Sequence, residues 1–234
     1  MSKPVIGIIA KHAKEESIRL NTFIRDEVEQ AIFDNGGVAI GILPPNEDKI
    51  SAGNDWQNNL TTEEKHNFYE QIALCDGIIL QGGDYLDEYE CFIAKHCYDY
   101  NIPILGICAG KHILVRALGG EVKRVGDESH YSQDTYVHSI NIDKDSKFYK
   151  MVGVPSLMVN SRHKNMTVKT PLDVVAVAPD GVIEVEEDKS KLFYLGVQFH
   201  PESLYKKDEV INNIFINFID ACQKYQDMKT TKEN

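Results

Sequence analysis

The chain turns on residues 103–114, where Pro103 opens a short apolar run that passes through Gly106, Cys108 and Gly110 into Lys111, His112, Ile113 and Leu114. An apolar run of this length beside a proline reads as a buried strand, and the residues after Gly110 carry a helical pattern. Strand therefore becomes helix at Cys108. The spacing Gly-x-Cys-x-Gly is that of a nucleophile elbow with sulfur in place of oxygen. Small residues on either side of a strained turn let the helix close back on the strand. At a helix N-terminus, unpaired N–H groups and the helix dipole favour a thiolate over a thiol. A buried cysteine in a tight turn would leave the same five residues, so the motif needs a partner.

A partner stands near the far end, where Leu195, Gly196, Val197, Gln198 and Phe199 run into His200, Pro201 and Glu202. If residues 193–199 are a strand and the chain stays extended through His200, side chains two apart point the same way, and Glu202 lies beside His200. Pro201 discourages His200 from turning into helix. Glu202 would then hold one ring nitrogen and leave the other to face a thiol. Alone, His-Pro-Glu suits a surface turn. With the elbow, it makes Cys108, His200 and Glu202 the candidate catalytic residues.

Around these motifs the chain alternates strand and helix. Strands are expected at residues 4–10, 38–43 and 77–80. A first helix should bury Phe23, Ile24, Val28, Ala31 and Ile32 and stop at Asn35, Gly36 and Gly37. Thr61 with Glu64 is a capping box opening a second helix to about Leu74. A third is expected over residues 89–100. Residues 46–60, with the single Trp56, read as a loop, and residues 121–137 show little periodicity. Further strands are expected at 137–142 and 157–160, a short helix at 146–152, and a hairpin of 174–178 with 182–187. A last helix over about 209–225 should bury Val210, Ile214, Ile216, Phe218 and Ile219, with residues 227–234 frayed. This order predicts an α/β fold, a mostly parallel central sheet flanked by helices with an added antiparallel portion, in one domain over residues 1–234. Ligands in such sheets sit at the carboxyl ends of the strands.

Composition narrows the function. There are 25 Lys plus Arg against 36 Asp plus Glu, a net charge of −11, which argues against nucleic acid and acidic membrane as partners. Five scattered cysteines without a C-x-x-C pair fit a reduced, cytoplasmic setting. The first apolar run is too short for a signal peptide core or a membrane span. His130, His138 and His200 show no metal-ligand spacing, so no metal and no cofactor is expected.

The motifs together resemble the class I glutamine amidotransferase superfamily, which has a flavodoxin-like fold. Within it, residues 3–8, Gly36-Gly37 before Leu43-Pro44-Pro45, Leu80-Gln81-Gly82-Gly83-Asp84 and Val159-Asn160-Ser161-Arg162-His163 are similar to the gamma-glutamyl-gamma-aminobutyrate hydrolase family. The resemblance runs from about residue 3 to about residue 220. It implies oxyanion-hole N–H groups from Gly83 and Ala109, and substrate contacts from His112, Asn160, Ser161, His163 and Gln198. Relatives usually carry Gln where this chain has His112, and often Leu or Arg where it has Ala109. Residues 121–137 become part of the substrate wall. The expected function is hydrolysis of a small gamma-glutamyl-amine conjugate through a thioester, with that small molecule as partner and a homodimer left open. Two alternatives stand beside it: a glutaminase subunit supplying ammonia to a separate synthetase, and a binding or regulatory homologue without turnover.

Overall fold

In a computed structural model, residues 2–13, 21–44, 60–83, 88–126 and 129–233 are described. Trp56 and most of its loop, and Asp84, lie outside them. Strands form where β-branched and apolar residues cluster: β1 (Val5–Ile9), β2 (Lys11–Ala13), β3 (Asn21–Phe23), β4 (Val38–Ile42), β5 (Gly77–Leu80) and β6 (Ile104–Ile107). Then come β7 (Glu121–Arg124), β8 (His138–Ile142), β9 (Ser156–Val159), β10 (Asn165–Lys169), β11 (Asp173–Val177), β12 (Ile183–Glu187) and β13 (Tyr194–Val197). Nine of them make one sheet in the order β4-β1-β5-β6-β13-β12-β11-β8-β9. The strands from β4 to β13 are parallel, and those from β12 to β9 add antiparallel pairs. The expected α/β architecture with its antiparallel portion is what the chain adopts.

Helices α1 (Asp26–Asp34), α2 (Thr62–Ala73), α3 (Glu88–Tyr100), α4 (Ala109–Ala117), α5 (Lys147–Val152) and α6 (Glu209–Glu233) complete the fold. Side chains of a strand alternate between faces, and the core divides accordingly. Ile6, Ile79, Leu105 and Val197 pack with α1, α5 and α6, whereas Ile9, Ile78, Ile104 and Tyr194 pack with α2, α3 and α4. Thr61 caps α2 as expected: its hydroxyl accepts from the Glu64 N–H at 3.2 Å, and the Glu64 carboxylate accepts from the Thr61 N–H at 2.7 Å. Among the described residues no helix is long and apolar enough to cross a membrane.

Several boundaries differ from expectation. Phe23 belongs to β3, which pairs with β2, and α1 begins only at Asp26. Strands β7 and β10, which the sequence pattern does not predict, pair antiparallel in a small second sheet. Ile216 is exposed, and the buried stripe of α6 is Ile211, Ile214, Phe215, Phe218 and Cys222. The expected frayed tail is helix through Glu233, because its last turns are tied down. Lys229 reaches the Asp76 carboxylate at 2.7 Å and the Cys75 carbonyl at 2.9 Å, while Gln226 donates to Asp76 at 2.8 Å.

The site is positioned by three neighbouring strand ends. Leu80 lies beside Gly106, and Val197 beside Ile107, so β5, β6 and β13 finish together. The residues just beyond them converge. Cys108 sits at the turn from β6 into α4 with φ 52° and ψ −103°, a conformation non-glycine residues rarely adopt. Its N–H donates to the Val197 carbonyl at 2.8 Å. The flanking glycines are required by close approach of backbones. A Cβ at Gly106 would lie 2.7 Å from the Gly110 carbonyl, and one at Gly110 only 2.0 Å from the Leu80 oxygen.

Candidate functional site

At these strand ends the structure brings Cys108, His200 and Glu202 together. The His200 Nδ1 lies 2.7 Å from the Glu202 Oε1, and the ring's other side is hydrogen-bonded to Cys108. The route to this arrangement is not the extended chain expected from sequence. Pro201–Ser203 is a single turn of 3-10 helix, and it is this turn that folds the Glu202 carboxylate back onto His200. Gly82 leaves the ring its space, since a Cβ there would lie 2.8 Å from His200 Cε1.

Electrostatics favour a charged imidazole. Burial alone would strip the proton from His200, but the Glu202 carboxylate and the Cys108 sulfur outweigh it and raise the pKa to about 10. Because that value lies above the ordinary 6.5, protonation favours the folded state fully below about pH 6.5, and the contribution is lost as pH rises through about 10. Replacing Glu202 by Gln removes the strongest force holding the proton. The expected result is an imidazole titration midpoint at least about two units lower, followed by NMR, and alkylation of Cys108 by iodoacetamide about tenfold slower at neutral pH. An unchanged midpoint would mean that Glu202 does not set the charge of His200.

Cys108 opens onto a pocket of about 160 Å³, room for roughly five water molecules, the scale of a single amino acid. Gly83 and Ala109 line its floor beside the sulfur, where the family resemblance puts the oxyanion donors. Tyr131, Arg162, Lys164 and Asn165 form its wall. The sequence motifs assign Arg162, Lys164 and Asn165 no role. Their signal is faint: two cations at alternate positions around His163. Arg162 donates to the Ser203 hydroxyl at 3.3 Å, and Lys164 stands 4.6 Å above the Tyr131 ring.

The five expected substrate contacts separate. His112 and His163 line the pocket. His112 is buried, and burial, then the charge of Lys111, holds its pKa well below the ordinary value, so the ring is neutral. Its nitrogens make no well-formed hydrogen bond; the Asn165 backbone is only a weak polar neighbour. Asn160, Ser161 and Gln198 are placed elsewhere. Asn160 spends both ends of its amide on the His200 backbone, accepting from its N–H at 2.7 Å and donating to its carbonyl at 3.0 Å. Ser161 is fully buried and donates to the His130 carbonyl at 2.8 Å. Gln198 lies behind the sulfur, its Nε2 3.9 Å from Cys108 Sγ. All three support the site from beneath it. Lys111, whose place the sequence leaves open, is fully buried on a 2.7 Å ion pair with Glu186, which Thr167 also touches.

The expectation that no histidines share a metal-ligand arrangement fails in space. His130, His138, His163 and Glu184 gather with one ligand atom each, all within 4.8 Å of one another. They come from the turn before Tyr131, from β8, from the loop after β9 and from β12, so no spacing along the chain could reveal them.

Residues 84–202 match the family model described as Peptidase C26. The chain is 32% identical over 198 residues to the glutamine-hydrolyzing subunit of the GMP synthase of Methanocaldococcus jannaschii, covering 82% of this chain and 96% of that protein. It is 32% identical over 145 residues, 61% of its length, to the glutamine-hydrolyzing GMP synthase of Staphylococcus epidermidis, of which it spans 27%. A solved structure from Thermoplasma acidophilum, assigned as a subunit of GMP synthase, superposes with a TM-score of 0.69 at 17% identity, covering 98% of this chain and 99% of the other.

Proposed function

The chain belongs to the Peptidase C26 family of the class I glutamine amidotransferase-like superfamily, and from that premise we propose that it is a glutaminase subunit supplying ammonia to a separate synthetase. The observation that carries this reading is the match to nearly the full length of a glutamine-hydrolyzing GMP synthase subunit. The same match overturns the expected hydrolysis of a gamma-glutamyl-amine conjugate.

The geometry suits the chemistry. The sulfur of Cys108 attacks the side-chain amide carbon of glutamine, and the oxyanion rests against the N–H groups of Gly83 and Ala109. His200, charged at neutral pH, gives its proton to the departing ammonia. Once the sulfur is acylated it no longer helps hold a proton on His200, so the imidazole is freed to activate the water that releases glutamate. Arg162 and Lys164 suit the α-carboxylate of the substrate. Neutral His112 offers one donor and one acceptor where a carboxamide would offer more.

The test is incubation with L-glutamine and, as comparator, asparagine, which is one methylene shorter. Glutamate release from glutamine is expected, together with glutamine slowing iodoacetamide alkylation of Cys108, and neither effect from asparagine. If glutamine is neither hydrolysed nor protective, the reading fails.

A further inference from the structure

A second constellation lies beside the pocket and is not used by the chemistry above. We propose that His130, His138, His163 and Glu184 form a four-ligand binding site for a divalent transition-metal ion, zinc foremost. His130 Nδ1, His138 Nε2 and His163 Nε2 stand 3.7, 3.7 and 3.4 Å from the same oxygen, Glu184 Oε1. These separations are too long for good hydrogen bonds. They are close to the edge of a tetrahedron around zinc, about 3.3–3.4 Å for ligand bonds of about 2.0–2.1 Å.

The outer contacts of each ring decide which nitrogen carries the proton. His163 Nδ1 lies 2.9 Å from the Asn165 carbonyl and His138 Nδ1 lies 3.3 Å from the Ser139 carbonyl. A carbonyl only accepts, so in both rings Nδ1 bears the hydrogen and Nε2 turns a bare lone pair inward. His130 is oriented the other way, with Nε2 2.8 Å from the Asp180 carboxylate. Asp180 is kept ionised: burial works against its charge, but the hydrogen bond from His130 is the largest of the forces that lower its pKa. Nδ1 of His130 is thereby left as the inward acceptor. A carboxylate or carbonyl behind each ligating histidine is the outer shell that metal sites use to fix tautomer and raise basicity.

Three lone pairs and a carboxylate thus converge with no donor to share. His138 Nε2, His163 Nε2 and both Glu184 oxygens are buried without a hydrogen-bond partner. Ser161, the nearest hydroxyl to His130 Nδ1 at 3.5 Å, already gives its proton to the His130 carbonyl. Such a set costs several kcal/mol unless a cation neutralises it. Imidazole nitrogens with one carboxylate suit zinc over calcium or magnesium, which prefer oxygen.

Four protein ligands fill a tetrahedral shell, which marks a structural site and not one that activates water. Its mechanical consequence follows from what the ligands carry. His130 precedes Tyr131, and His163 stands between Arg162 and Lys164, so one ion would staple the pocket wall to β12. This inference does not depend on which amide the pocket accepts.

The experiment uses the Cys108→Ala chain, so that the active-site thiol cannot bind the metal. After chelator treatment and dialysis it is titrated with Co²⁺, and the visible absorption is recorded. Intense tetrahedral d–d bands saturating at about one equivalent, and displaced by one equivalent of Zn²⁺, are expected. Adding Glu184→Gln or His138→Asn should abolish those bands, and Asp180→Asn should weaken zinc binding by about 10- to 100-fold. Zinc should also raise the melting temperature of the Cys108→Ala chain. Weak octahedral bands only, or Zn²⁺ binding no tighter than in the His138→Asn chain, would overturn the proposal and leave the three rings as a proton-sharing cluster. Because the thiol is absent throughout, the outcome is independent of whether the chain hydrolyses glutamine.

Discussion

Replacing Cys108 by alanine abolishes glutamate release from L-glutamine, by on the order of 10⁴-fold or more, while the chain keeps its fold. The magnitude follows from the role of the sulfur, since without a nucleophile there is no thioester, and the rest of the site can only orient water. Folding should survive. Alanine keeps the Cβ that occupies the elbow, so the strained backbone at φ 52° is no worse than before, and the deletion leaves a void of only one sulfur. Circular dichroism and a melting curve check this. The substitution also removes one of the two groups that raise the pKa of His200, so its titration midpoint should fall below about 10 while Glu202 still supports it. Retained turnover in this variant would remove Cys108 from the reaction.

The second large effect is on stability. In an ordinary helix interior, glycine to alanine is stabilising by about 1 kcal/mol. At Gly110 the sign reverses. A Cβ there would lie 2.0 Å from the Leu80 oxygen and 2.8 Å from its carbonyl carbon, and backbone cannot yield as a flexible side chain can. Closing α4 onto β5 would require the sheet edge beside the site to move. Gly110→Ala should therefore cost at least about 3 kcal/mol, a fall of roughly 6–12 °C in melting temperature for a chain of this size. Gly126→Ala, which meets nothing within 4 Å, is the control and should stay within about 0.5 kcal/mol. Equal melting temperatures for the two variants would show that the elbow is not held by this contact.

What could be read in advance was what is written in consecutive residues. The glycines around Cys108, the Thr61–Glu64 capping box and the antiparallel pair of β11 with β12 each depend on a few neighbours, and each is found where expected. The α/β order was legible for the same reason, because the periods of strand and helix are local. Errors began where a residue's environment depends on distant chain. The last turns of α6 look frayed in sequence, yet Asp76, some 150 positions earlier, holds Gln226. Asn160 reads as a substrate contact because its motif borders the pocket, yet its amide is consumed by the His200 backbone. Lys111 could have been a surface cation. Its fully buried partner, Glu186, lies on a strand that sequence order does not place beside it.

By itself the sequence determined the strained turn that presents Cys108, the proline-bounded His200 and Glu202, and an alternation that commits the chain to a layered α/β sheet. These follow from steric and periodic rules acting over a few residues. Only the tertiary structure decided that β6 and β13 lie side by side, so that a sulfur and an imidazole 92 positions apart meet at two adjacent strand ends. It also decided that three histidines and a glutamate from four separate segments share one buried point. Strand order is set by how the sheet buries both its faces, and that is a property of the whole packed chain.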